Sequence, residues 1–177
     1  MNAIAAVEDE VRELVRRRGL DPVADPAAVR RLVDEVITDY DERSVGGTLP
    51  QLLDARVAAR QVFDAVAGFG PLQKYLDDPT VEEIWINEPT KVFIARRGVH
   101  ELTTTILSAD EVRDLVEKML KSSGRRVDLS TPFVDAMLPD GSRLHVAIPD
   151  ITRQHWSVNV RKLRPRGLRV SDLYVCV

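Results

Sequence analysis

The chain has 177 residues, of which 44% are hydrophobic and 30% are charged, and its formal net charge is −3 at pH 7. This composition is typical of a folded globular protein, and it excludes a disordered tail and a generally basic nucleic-acid binder. The single cysteine, Cys176, excludes an internal disulfide and a multi-cysteine metal site. No apolar run approaches the roughly 18 residues that are needed to span a bilayer.

The first part of the chain carries three apolar stripes at helical spacing. The first stripe covers residues 3–18, and Asp25-Pro26 is a typical N-cap and first-turn pair for a second helix. Thr48 and Gln51 resemble a capping box that would start a third helix. Short loops between these helices predict a three-helix bundle over residues 1–67, which we interpret as a structural or docking module.

The pattern changes after the bundle, where two glycines and a proline end the third helix. Short runs of alternating apolar residues then predict an antiparallel meander, and Ser108 and Glu111 form a second capping box before an amphipathic helix. A hairpin and a last strand follow. The predicted strands of the meander and the final strand cover residues 81–87, 91–95, 99–102 and 155–163.

The hairpin contains the most informative stretch of the sequence, residues 127–143. Asp140-Gly141 is a strong signal for a tight turn, because glycine tolerates a positive φ. After the turn, Leu144 and the alternate residues that follow it are apolar, so Arg143 falls on the polar side of the returning strand. An arginine held there by rigid backbone is free to meet an anion.

Charge is distributed unevenly along the chain. Residues 1–66 carry nine basic and thirteen acidic side chains, whereas residues 121–169 carry ten basic and four acidic ones. A basic region inside an acidic protein indicates an anionic ligand or an acidic partner surface. Nucleic acid is a weak candidate, since the nine aromatic residues of the chain do not alternate with the arginines as stacking platforms would.

Motifs for phosphate loops, nucleophiles and zinc are absent from the sequence. The three histidines lack ligand spacing and are interpreted as surface or sheet residues. Arginine, with its planar and permanently charged guanidinium, remains the candidate for binding phosphate. By spacing alone, pairing of each arginine with a carboxylate is the favoured interpretation, for example with Asp128, Asp135 or Asp140.

The order of these pieces resembles the N-terminal region of CpaF-like Tad-pilus ATPases, a branch of the type II and type IV secretion ATPases. Residues 68–89 read G-F-G-P-L-x-x-x-L-x-D-P-x-V-x-E-I-x-I-N-x-P. The similarity continues over about 95 residues with V-x-x-x-R-x-G, G-R-R-V-D, P-x-V-D-A-x-L-P-D-G-S-R and V-R-K-L. The three preceding helices are similar to the helical bundle of that branch.

The resemblance implies an α+β fold, with a three-helix bundle (residues 1–67) followed by a PAS-like antiparallel sheet domain with flanking helices (residues 68–163). Residues 164–177 would form a linker toward a RecA-like ATPase domain. In such ATPases, arginines of the N-terminal domain reach the phosphates of ATP. The matching positions are Arg143 and Arg161, with Arg126 as a weaker third.

The same resemblance implies that this region regulates ATP hydrolysis and couples it to pilus assembly or protein export. The full-length parent would bind ATP together with Mg. The partners would be the RecA-like domain, neighbouring subunits of a homohexamer and an inner-membrane platform protein. The protein would then be cytoplasmic and peripheral at the membrane. Because the sequence contains neither a Walker A nor a Walker B motif, we expect no hydrolysis by this chain alone, which resembles an isolated N-terminal region.

Two departures from the family pattern concern the site. His145 stands where the family usually has Asn, and residues 150–155 replace a loop that contains Pro and Gly. The alternative to a nucleotide-contacting domain is a free-standing PAS-like interaction or sensor module.

Overall fold

A computed structural model describes residues 2–22 and 24–163 of the chain. The chain divides into two compact units, Met1–Asp77 and Asp78–Val177. The sequence places this boundary earlier, at residue 68, because glycine and proline interrupt the helical pattern there. The predicted linker, residues 164–177, lies outside the described residues.

The first unit consists of helices. Its elements are α1 (Ala3–Arg18), α2 (Pro26–Ser44), α3 (Ala55–Val66), a 3-10 turn (Gly70–Leu72) and α4 (Gln73–Asp77). The apolar stripes of the three long helices meet in one core of valine, leucine, isoleucine, alanine and tyrosine side chains. No helix in the described part of the chain is long and apolar enough to cross a membrane.

The helix ends follow local chemistry. The carboxylate of Asp25 accepts a hydrogen bond from the amide of Ala28, and Gly19 ends α1 in the left-handed region at φ 64°. The predicted start of the third helix near Thr48 is wrong. The helix begins at Ala55, because the side chain of Asp54 accepts hydrogen bonds from two of its first amides.

The second unit is built on one antiparallel sheet. Its elements are β1 (Val81–Glu88), β2 (Lys91–Arg96), β3 (Val99–Leu102), α5 (Ala109–Ser122), β4 (Phe133–Met137), β5 (Arg143–Ala147), α6 (Pro149–Thr152) and β6 (Ser157–Arg161). Among the described residues, six strands lie in the order β3-β2-β1-β6-β5-β4. This mixture of helices and an antiparallel sheet confirms the α+β fold class.

The predicted capping box at the start of α5 is confirmed, because the side chains of Ser108 and Glu111 each bond the backbone of the other. The buried residues of α5 repeat at helical spacing and end with Met119 and Leu120. On the sheet, Ile84 and Val160 are register partners and both are buried. One face of the sheet and one stripe of α5 therefore supply the apolar core of this unit.

An ion-pair network anchors the beginning of the sheet. The Asp78 carboxylate accepts hydrogen bonds from the hydroxyl and the amide of Thr80, and it lies 3.0 Å from Nη2 of Arg96. The other amino group of Arg96 contacts Glu101 on β3 at 2.7 Å. The Thr80 hydrogen bonds and Arg96 lower the pKa of Asp78 to about 2, since all of them favour the charged carboxylate.

This shift gives the stability of the protein a defined pH dependence. A depressed pKa contributes stability above the unfolded pKa, and this contribution is lost as the pH falls from about 4 toward about 2. Asp78→Asn should lower the free energy of unfolding at pH 7 and flatten its pH dependence in that window. Urea denaturation at several pH values measures both, and an unchanged slope in the variant would contradict the assignment.

Candidate anion-binding face of the sheet

The sheet has one buried and one open face. Along each strand, side chains alternate between the two faces, so register partners on neighbouring strands share a face. Leu144 and Val160 are partners on the buried face. The neighbouring partners Arg143 and Arg161 therefore lie on the open face.

One row of register partners crosses the open face from one edge of the sheet to the other. We call it the arginine row, and its members are His100, Ala95, Glu83, Arg161, Arg143 and Met137. The two arginines are direct cross-strand neighbours at its centre. Side chains in such positions have Cβ atoms about 4.5–5.5 Å apart, and like charges there repel each other. The row thus concentrates positive charge at one place.

The backbone around Arg143 is held rigidly by the preceding turn. Gly141 has a φ of 84°, which glycine tolerates without strain. Both oxygens of the Asp140 carboxylate accept hydrogen bonds from Ser142, one from its amide and one from its hydroxyl. Ser142 itself is buried, and its carbonyl accepts a hydrogen bond from the amide of Leu138. The turn therefore fixes the start of β5 and the position of the arginine.

The two arginines differ in their partners. Nε of Arg161 lies 3.5 Å from Oε1 of Glu83, and the Arg161 side chain remains 73% exposed. Within residues 2–22 and 24–163, no ion pair or hydrogen bond involves the side chain of Arg143, which is exposed. The arginine row therefore has two guanidinium groups and one carboxylate, an arrangement that attracts an anion.

The three carboxylates that the sequence analysis names as possible arginine partners contact other side chains instead. Asp128 accepts hydrogen bonds from the amide and hydroxyl of Ser130, and Asp140 is bound to Ser142. Asp135 lies 2.9 Å from Nδ1 of His145, its register partner on the open face. The structure thus shows Glu83, which the sequence did not suggest, as the carboxylate beside an arginine of the row.

Arg126 has a different setting from the other two predicted arginines. It lies in the connection between α5 and β4, outside the sheet, and it is exposed. No strand register fixes its position relative to Arg143 or Arg161. The structure therefore brings together two of the three predicted residues.

A cavity of about 480 Å³ lies beside Arg161 at the β1–β2 side of the row. Glu82, Glu83 and His100 contribute to its lining, and the ring of His100 lies 4.9 Å from that of Trp85. None of these residues was a sequence-based candidate. Alternation along β1 is sufficient to predict that Glu83 and Trp85 share the polar side of the strand. It does not predict which residues of β2 and β6 lie beside them, because that depends on strand order.

Sequence comparison shows that part of the chain is similar to VirB11 proteins. The chain is 32% identical over 105 residues to VirB11 of Agrobacterium fabrum and 27% identical over 100 residues to the type IV secretion system protein VirB11 of Brucella suis. It is also 31% identical over 118 residues to the uncharacterized protein MJ0781 of Methanocaldococcus jannaschii. No protein-family model matches the chain.

The matches cover only part of each protein. They include 58% of this chain but 29% of Agrobacterium VirB11, and 65% of this chain but 16% of MJ0781. The crystal structure of the Brucella suis VirB11 ATPase in complex with sulphate aligns at a TM-score of 0.48 with 28% identity, and the alignment covers 52% of this chain and 29% of that one. The sequence matches by themselves show homology to part of VirB11. Membership of the CpaF-like branch stays a prediction.

Proposed function

We propose that this chain is the N-terminal regulatory and coupling domain of a secretion ATPase of the CpaF-like, Tad-pilus branch. In this proposal, Arg143 and Arg161 contact the phosphates of ATP that is held by a RecA-like motor domain. The homology to part of VirB11 supports the broader class. The observation that carries the role of the site is the register pairing of the two arginines on the open face.

The residues of the arginine row fit a phosphate group. A phosphate carries negative charge and several acceptor oxygens, and guanidinium groups bind these oxygens with charge-assisted hydrogen bonds. Arg143 has no competing partner within the described residues, and Arg161 has a single loose one. Arg126 would be a third contact, and this role rests on the sequence resemblance alone.

Further parts of the proposal concern the assembly. The domain would contact its own RecA-like domain and neighbouring subunits of a homohexamer, with Mg and ATP bound in the motor. An inner-membrane platform protein would hold the assembly at the cytoplasmic face of the membrane. When the two arginines on their rigid strands bind phosphate, the position of this domain relative to the motor domain would change.

The proposal predicts weak but specific polyphosphate binding by the 177-residue protein. Arg143→Ala and Arg161→Ala should each weaken the binding of inorganic tripolyphosphate about tenfold or more, because each removes charge-assisted hydrogen bonds. The measurement is an NMR titration in which the Nε–H signals of both arginines are followed. Binding should also weaken as salt is added.

Arg113→Ala is the matched control, because Arg113 is an exposed arginine on α5 and its loss changes the net charge equally. This variant should bind tripolyphosphate almost as the unaltered protein does. If all three variants bind alike, or if tripolyphosphate leaves both arginine signals unmoved, the phosphate role is wrong. A PAS-like interaction module would then be the better description.

A further inference from the structure

Glu83 is the one carboxylate in the arginine row. Its register partner is Arg161 on β6, and Arg161 in turn has Arg143 as its partner on β5. The order across the sheet is therefore carboxylate, guanidinium, guanidinium. A ligand phosphate that approaches the two arginines meets Glu83 on the far side of Arg161.

The contact between Glu83 and Arg161 is loose enough to exchange. The separation of 3.5 Å between Nε and Oε1 exceeds the usual distance of a charge-assisted hydrogen bond, and the arginine side chain is 73% exposed. Ion pairs with this exposure contribute little to stability. The pair is thus poorly explained as a stabilising contact of the fold.

Glu83 is held more firmly than its partner. Its side chain is 27% exposed, and its backbone is paired on both sides, with Ala95 on β2 and with Arg161 on β6. Arg161 has a long flexible side chain at the last position of β6. When a phosphate binds, the arginine is therefore the group that can move, and the carboxylate stays in place.

We infer that Glu83 competes with phosphate for Arg161 and thereby lowers the phosphate affinity of the arginine row. The inference rests on the proposed function and extends it by naming a regulating residue of the same site. Glu83 is a positioning residue, because it acts on the ligand through Arg161.

Competition predicts a gain in binding when the charge of Glu83 is removed. Glu83→Gln keeps the size of the side chain, and it should tighten tripolyphosphate binding about two- to fivefold, the range expected for losing one exposed ion pair. The Arg161 Nε–H signal of the ligand-free protein should shift as well. Glu83→Thr, which suits a strand, serves as a second variant if the first does not fold.

A double-mutant cycle separates competition from a general change of charge. Glu83→Gln should have a clearly smaller effect on tripolyphosphate affinity in the Arg161→Ala background than in the unaltered protein. Glu117→Gln on α5 is the charge-matched control, since Glu117 is exposed and lies outside the arginine row. It should leave the affinity nearly unchanged.

The outcomes distinguish this inference from the proposed function. If both arginine substitutions weaken tripolyphosphate binding but Glu83→Gln leaves the affinity unchanged, the proposed competition is wrong, while the proposed contact of the arginines with phosphate is supported. An equal gain with and without Arg161 would also overturn the competition. If the arginine substitutions have no effect, the phosphate role fails and the competition fails with it.

Discussion

Replacing Leu144 with alanine is expected to destabilise the second unit by about 2–5 kcal/mol, which is the range for removing a large apolar side chain from a packed core. Leu144 is only 1% exposed. It lies between Ala136 and Val160 on the buried face, so few neighbouring groups can collapse into the space that it leaves.

Met137→Ala is the matched control for this substitution. Met137 lies on the neighbouring strand, has a side chain of similar size and is 59% exposed on the open face. Its loss should cost less than about 1 kcal/mol. Urea denaturation followed by tryptophan fluorescence measures both variants, and equal destabilisation would show that the assignment of buried and open faces is wrong.

Replacing Val33 with aspartate should unfold the helical unit. Val33 is 1% exposed in the core shared by α1, α2 and α3, and a charge without a partner there costs more than about 3 kcal/mol. The first unit has its own core, so we expect the sheet of the second unit to survive this substitution. This outcome would also support the proposal that the bundle and the sheet are separate domains.

The distribution of tryptophan makes this prediction easy to measure. Both tryptophans of the chain, Trp85 and Trp156, belong to the second unit. The variant should lose much of its helical circular dichroism while the tryptophan emission stays native. Val57→Asp, at a half-exposed position in the first turn of α3, is the control that should leave both signals intact. A parallel loss of native emission in the Val33 variant would argue against independent folding.

The two sides of β5 separate stability from anion binding. Leu144 points into the core, while Arg143, the preceding residue, lies on the open face. A substitution at Arg143 should therefore weaken phosphate binding with little loss of stability. A substitution at Leu144 should lower the stability and leave phosphate binding almost unchanged at temperatures where the protein remains folded.

Local patterns were sufficient for most of the secondary structure. The helix at residues 3–18, the capping box of α5 and the hairpin turn at Gly141 all follow from short-range chemistry. The start of α3 was predicted too early, because two acceptable N-caps compete and Asp54 supplies the better local hydrogen bonds. The short helix α6 was missed, since four residues give too little periodicity to recognise.

Alternation along the strands is enough to predict that Arg143 faces away from the core, opposite Leu144, and Arg161 alternates in the same way with Val160. That the two arginines are neighbours follows from the order of the strands in the sheet. Strand β6 inserts between β1 and β5, so that Arg161 lies between Glu83 and Arg143. This strand order depends on how apolar faces from distant parts of the chain pack together, so it cannot be predicted from the local spacing of residues.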